Sequence, residues 1–113
     1  MTTPLAEPVD VLQGTLDLLI LKTLTLERLH GWGISKRVRQ LSGEKLQVNQ
    51  GSLYPALYRL EDKGWIDAEW GESPGGRRVK VYGLTAKGKR AFAEEQRSWR
   101  AFASAVEQVL HAT

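Results

Sequence analysis

"QGSLYPALYRLEDKGWI", residues 50–66, decides how the rest of the chain is read. Leu53, Leu57 and Leu60 recur at i, i+4 and i+7, the spacing of one buried helical stripe. A stripe held inward turns Gln50, Ser52, Tyr54, Tyr58 and Arg59 toward the helix start and its outer flank, where a core has no use for them. Pro55 is tolerated only close to the beginning of a helix, so Ser52 is the expected N-cap, with Pro55 in the first turn. Lys63 and Gly64 then mark the end.

Toward the N-terminus, Ile34, Val38 and Leu41 mark a shorter amphipathic helix, with Lys36, Arg37 and Arg39 between them and a stop near Gly43. "HGWG" at 30–33 separates it from an earlier helix. That first helix, expected to be capped by Thr15, carries Leu16, Leu19, Ile20 and Leu24 on one stripe, and Leu18 and Leu21 elsewhere on the cylinder. Apolar residues on more than one side suit a central helix, a helix at an interface, or both. Residues 1–12 hold both early prolines, Pro4 and Pro8, and are expected to form a loose arm.

Toward the C-terminus the period changes to two. Ile66, Ala68 and Trp70 alternate with Asp67, Glu69 and Gly71, and Val79 and Val81 alternate with Arg78, Lys80 and Tyr82, so "GESPGG" at 71–76 reads as a six-residue hairpin turn. From Thr85 the pattern is helical again. Trp99, Phe102, Val106 and Val109 are spaced 3, 4 and 3, a seam with Phe92 one heptad earlier. The expected fold is mainly α with a small β-hairpin: a winged helix-turn-helix over 13–84, followed by a C-terminal dimerisation helix over 85–113.

Composition narrows the function. The 113 residues are 42% apolar and 26% charged, an ordinary globular balance, with a formal net charge of +3 that suits a polyanion. Cysteine is absent, which removes disulfides, thiolate metal sites and a cysteine nucleophile. The most apolar run, "LDLLILKTLTL" at 16–26, contains Asp17 and Lys22 and is shorter than the roughly 20 residues that span a bilayer. The N-terminus lacks the basic start of a secretory signal, and a cytoplasmic location is expected. His30 and His111 stand isolated, without metal-ligand spacing, and "GESPGG" lacks the Lys-Ser/Thr and following helix of a phosphate-binding loop. Neither an enzyme nor a cofactor is expected.

Duplex DNA is the expected partner. In a winged helix-turn-helix the third helix enters the major groove, where Gln50, Ser52, Tyr54, Tyr58 and Arg59 could all bond phosphates and Gln50 or Arg59 could also read base edges. Arg77, Arg78 and Lys80 in "GGRRVK" would grip the backbone from the wing. Taken singly, each residue has a plainer reading: Tyr54 and Tyr58 can pack, Arg59 can pair with Glu61 or Asp62, and the wing can be an ordinary exposed hairpin. A winged helix used as a protein-interaction adaptor is the alternative, and salt-sensitive DNA binding separates the two.

The chain resembles the PadR family of bacterial transcriptional regulators from about Gln13 to the last helix. "GTLDLLILKTL" at 14–24, "HGWGISKRV" at 30–38, "GSLYPALYRLEDKGWI" at 51–66 and "GGRRVKVYGLTAKGK" at 75–89 follow the family pattern in order and spacing. The resemblance implies a homodimer that binds operator DNA, usually as a repressor, and in many members releases it to a small molecule. It implies backbone contacts by Lys36 and Arg37, recognition by Ser52, Tyr54 and Arg59, and a gripping wing at Arg77, Arg78 and Lys80. Leu18, Leu21, Phe92, Trp99, Phe102, Val106 and Val109 are the expected dimer contacts. Trp99 also stands where the multidrug-sensing branch has an aromatic lining a ligand pore, so a planar aromatic effector is a second reading beside simple seam packing. Trp32 departs from the family's tyrosine, Trp65 from a smaller apolar residue, and Gly83 from a frequent basic residue.

Overall fold

The computed structural model describes residues 9–10 and 13–113. The chain runs β1 (Val9–Asp10), α1 (Gln13–Leu26), β2 (Leu29–His30), α2 (Gly31–Leu41), β3 (Leu46–Gln47), α3 (Gln50–Asp62), β4 (Ile66–Glu72), β5 (Arg78–Leu84) and α4 (Ala86–Leu110). This is a winged helix with a long C-terminal helix, mainly α as expected. Within the expected arm, Val9–Asp10 pair in parallel with Leu46–Gln47; its remaining ten residues lie outside the described ones.

α1 is the hub, touching α2, α3, α4 and β5. Leu16, Ile20, Leu21 and Leu24 are buried, and Thr23, also buried, donates its hydroxyl to the Ile20 carbonyl at 2.8 Å. A helix with neighbours on several sides must be apolar on several sides. That corrects the interface reading of Leu21, which is fully enclosed by the chain's own core; Leu18 is half-buried. α1 also starts before Thr15, which therefore lies inside the first turn rather than capping it.

"HGWG" is more than a break. Leu29–His30 pair antiparallel with β5, giving a three-stranded sheet in the order β2-β5-β4 where a lone hairpin was expected. The chain passes from strand to helix without a loop, because the His30 Nδ1 accepts the Gly33 amide at 2.8 Å and caps α2. Past Leu41, Gly43 (φ 64°) and Glu44 (φ 66°) are both left-handed and reverse the chain toward α3. That geometry costs a non-glycine residue roughly 1 kcal/mol. Glu44 is held there by its amide on the Arg39 carbonyl at 2.8 Å and its carboxylate on the Arg39 Nε at 2.6 Å.

α3 is capped by Asn49, whose side chain accepts the Gly51 amide at 2.7 Å, and not by Ser52, which is its third residue. Pro55 consequently falls in the second turn and removes the amide that would bond the Gly51 carbonyl. Both residues are exposed, so water reaches that carbonyl. The leucine ladder is as expected: Leu53, Leu57 and Leu60 are fully buried with Ala56, against Ile34 and Val38 of α2 and Ile66 and Tyr82 of the sheet.

β4 and β5 pair from Ile66↔Leu84 to Glu72↔Arg78, longer than the alternation indicated. The turn is five residues, 73–77, closed by the Ser73 amide on the Arg77 carbonyl at 2.8 Å and helped by Gly76 at φ 81°. Thr85, where the helical pattern was expected to resume, caps α4 by accepting the Gly88 amide at 3.0 Å. The start of α4 packs on α1 and brings the half-buried Phe92 against the core; Trp99, Phe102, Val106, Val109 and Leu110 farther along are exposed.

Candidate nucleic-acid interface

With the ladder of α3 turned inward, Ser52, Tyr54 and Tyr58 are exposed on its outer face. Gln50 opens the helix and donates its Nε2 to the Ser35 Oγ at 2.9 Å, tying α3 to α2. Tyr54 lies over Gly31: a Cβ at that glycine would stand 2.8 Å from the phenol oxygen and 3.0 Å from ring carbons. The glycine before Trp32 is thus the floor on which Tyr54 rests.

Arg59 does not join this face. Its Nη2 meets the Asp17 carboxylate of α1 at 2.7 Å, so it clips α3 to α1 with its charge matched. Asp17 is the less exposed partner, at 23%, and an acid so placed calls for a cation. Arg37 is likewise turned to an acid, its Nε 3.9 Å from the carboxylate of Glu27, just past α1, and without a hydrogen-bond partner among the described residues. Lys80 sits 3.9 Å from Glu61. Lys36, Arg77 and Arg78 have no carboxylate within 4.0 Å among the described residues, and they carry the free positive charge of this face.

Two hollows flank α3. The larger, about 540 Å³, is the notch between α2 and the start of α3, lined by Trp32, Ser35, Lys36, Arg39 and residues 47–50. The other, about 300 Å³, lies between α3 and the wing and is lined by Tyr54, Tyr58, Trp70, Arg78, Lys80 and Tyr82, with residues 30–32 at one end. Burial, and after it the Glu61 carboxylate and the neighbouring Tyr58 and Tyr54, push the Tyr82 phenol above its ordinary value, so it stays neutral at physiological pH. Among the described residues no cluster of His, Asp and Glu could hold a metal, and no helix is long and apolar enough to cross a membrane.

Sequence reasoning missed Trp32, Trp70 and Tyr82 on this face. The Trp32–Lys36 spacing of four was available as a signal; Trp70 and Arg78 meet only through the hairpin register, as diagonal neighbours across β4 and β5. Gly83, where the family often has a basic residue, has a different explanation. A Cβ there would fall 1.9 Å from the Arg28 guanidinium, which crosses the sheet to Asp67 at 2.9 Å and Glu69 at 3.2 Å. The cation at that place comes from another strand connection and is committed to acids.

Residues 20–94 match the Transcriptional regulator PadR-like family. An uncharacterized protein of Lysinibacillus sphaericus is 30% identical over 90 residues, 80% of this chain and 83% of that one. Among solved structures, a transcriptional regulator from Clostridium thermocellum superposes with a TM-score of 0.76 at 27% identity, covering 85% of this chain and 90% of that one. A PadR family transcription regulator from Clostridium difficile R20291 gives 0.71 at 32% identity, covering 85% and 98%. The PadR-like transcriptional regulator of Bacillus cereus ATCC 14579 gives 0.72 at 26%, covering 89% and 96%.

Proposed function

Because the chain belongs to the PadR-like family of transcriptional regulators, and is therefore a DNA-binding regulator and not an enzyme, we propose that it acts as a homodimeric, ligand-responsive repressor. The observation that carries the DNA-binding part is the exposed face of α3. Ser52, Tyr54 and Tyr58 stand between an uncompensated Lys36 on α2 and uncompensated Arg77 and Arg78 on the wing. Cations on both sides of a polar helix face match the two phosphate strands that bound a major groove. Arg77, Arg78 and Lys36 grip the backbone, while Gln50, Ser52, Tyr54 and Tyr58 lie closest to bases. Arg59, paired with Asp17, acts as a clip.

The dimer is supported by α4. Trp99, Phe102, Val106 and Val109 form an apolar stripe that is 40–73% exposed, and a two-fold partner would cover it with its own copy. Such a dimer spaces its recognition helices by about one turn of DNA, roughly 34 Å. Trp99, 44% exposed, and its symmetry mate would also offer two indole faces to a planar aromatic effector. Repression by occupying an operator, in the cytoplasm, belongs to the same proposal.

Selection of duplexes from a random pool with the purified chain, paired with sedimentation, tests this reading. A recovered inverted repeat with half-sites about one turn apart, bound by two chains, is expected. Recovery of no sequence, or binding that does not weaken as salt rises, would sink it.

A further inference from the structure

Several arginines of the described chain are held in place by acids. Arg28 is on Asp67 and Glu69, Arg39 on Glu44, Arg59 on Asp17, and Arg97 on Glu94. An acid fixes a guanidinium but cancels its charge toward a third party. Two cations on the DNA-side face are fixed differently. The Arg78 Cζ lies 4.5 Å from the ring centroid of Trp70, and the Lys36 Nζ lies 5.1 Å from that of Trp32. A ring face attracts the cation through its quadrupole and leaves the net charge in place.

These indoles do little for the core. Trp70 is 59% exposed and Trp32 60%, and both border the hollow between α3 and the wing. Trp65 makes the contrast: it too carries a cation, Lys63, at 4.5 Å, but it is half-buried and packs against the hydrophobic core.

Resting on the reading of the chain as a DNA-binding regulator, we propose that Trp70 and Trp32 are positioning residues for the phosphate grip. Trp70 holds the Arg78 guanidinium at the wing, and Trp32 holds the Lys36 ammonium at α2, so that both meet the duplex in a set orientation with their charge intact. An unrestrained arginine or lysine loses much of its rotamer freedom on binding a phosphate; one already resting on a ring loses less. The indole thus acts through the cation, and its contribution disappears when the cation is removed.

The test is a double-mutant cycle on binding of a fluorescein-labelled duplex, read by anisotropy, with the full chain and a selected cognate site. Trp70→Ala is expected to weaken binding by about two- to fivefold when Arg78 is present, the range of an exposed cation–π contact. It should change nothing in the Arg78→Ala background. Trp70→Phe keeps a ring face and should retain most of the affinity, whereas Trp70→Leu keeps hydrocarbon bulk without the quadrupole and should behave like Trp70→Ala. Arg78→Ala should lower the salt slope by about one, and Trp70→Ala should leave it unchanged, since no phosphate contact is lost. Equal losses in both backgrounds would mean that the indole touches DNA itself or braces the wing, and would overturn the proposal; so would full affinity in Trp70→Leu. Failure of the wild type to bind any duplex would overturn the regulator reading and this inference with it, while additive losses with a wild type that binds would overturn this inference alone.

Discussion

Replacing Gly88 with alanine sets two effects of opposite sign against each other. By helix propensity alone, alanine at the third position of α4 should stabilise by up to about 1 kcal/mol. The junction predicts the reverse. A Cβ at Gly88 would stand 1.9 Å from the Trp65 carbonyl oxygen and 2.8 Å from the Leu84 Cδ1. Carbon–oxygen contacts in proteins settle near 3.3 Å, so something must move by more than about 1 Å. The carbonyl is not free to do so: it accepts the Thr85 amide at 3.1 Å and lies 3.0 Å from the Thr85 hydroxyl, which also reaches the Gly64 carbonyl at 2.7 Å. Lifting the first turn of α4 away would break this cap, worth about 1 kcal/mol. Strain from the added methyl costs about 2 kcal/mol more. Against the propensity gain, the net loss is about 2 kcal/mol, a fall in Tm of about 8 °C for a chain of this size. Thermal unfolding followed by circular dichroism at 222 nm would measure it, with both proteins at one concentration because self-association shifts Tm. A Gly88→Ala variant that melts at or above the wild-type temperature would refute the seating of α4 on the Trp65 carbonyl.

Gly31→Ala should push the Tyr54 ring aside while leaving stability within about 0.5 kcal/mol, so DNA affinity falls with an unchanged melt; loss of stability instead would show that the ring cannot yield. Arg59→Ala removes a half-exposed ion pair and should cost less than about 1 kcal/mol, with no change in the salt slope of DNA binding; a slope lowered by about one would return Arg59 to the phosphate contacts. Phe102→Asp, at a position 68% exposed on the α4 seam, should sediment as a monomer, and an unaltered dimer would place the interface elsewhere. Tyr82 has its folded-state pKa raised, so it favours folding below its ordinary value of about 10, and that contribution is lost as pH rises through the folded value; a Tyr82→Phe variant should lose less stability as pH rises above about 10 than the wild type does.

What could be read from residues alone was whatever repeats along one element. The Leu53, Leu57 and Leu60 ladder, Ile34 with Val38, and the return to helix at Thr85 all follow from local periodicity, and the structure forms them accordingly. The misses are non-local. Arg59 meets Asp17 across 42 positions, beyond any helical spacing rule. Placing Pro55 in the first turn pointed to Ser52 as the α3 cap, whereas Asn49, three residues earlier, caps the helix and leaves Pro55 in the second turn. β2 is two residues long and leaves no alternation to detect. With 71–76 as the turn, Trp70 would face Arg77; with the observed turn it faces Lys80, and Arg78 comes to its ring diagonally. The turn lies farther along the chain than 71–76, which moves the partner of Trp70 by three residues, and this register hid the residue that holds the wing arginine.

The Thr85 junction also joins the end of α3 to the start of α4. α3 ends at Asp62, and the Trp65 amide returns to the Leu60 carbonyl at 3.0 Å while Gly64 turns the chain at φ 75°. The carbonyls of Gly64 and Trp65 then receive Thr85, the residue from which α4 departs. The end of the recognition helix and the start of α4 are thus bonded to each other across four residues, with the buried Gly88 closing the gap. Trp99 lies fourteen residues past Thr85, about 21 Å along the helix axis. In the proposed dimer, a compound wedged between the two Trp99 rings changes the angle between the α4 helices, and a stiff junction passes that change to the α3 helices as a rotation of whole subunits. Such a ligand can alter DNA affinity only by its preference between the two dimer geometries, commonly 1–3 kcal/mol, or about five- to 150-fold. A loosened junction would let the helices re-angle without moving α3. Gly88→Ala should accordingly weaken effector release of DNA more than it weakens effector binding, a difference that rigid transmission requires.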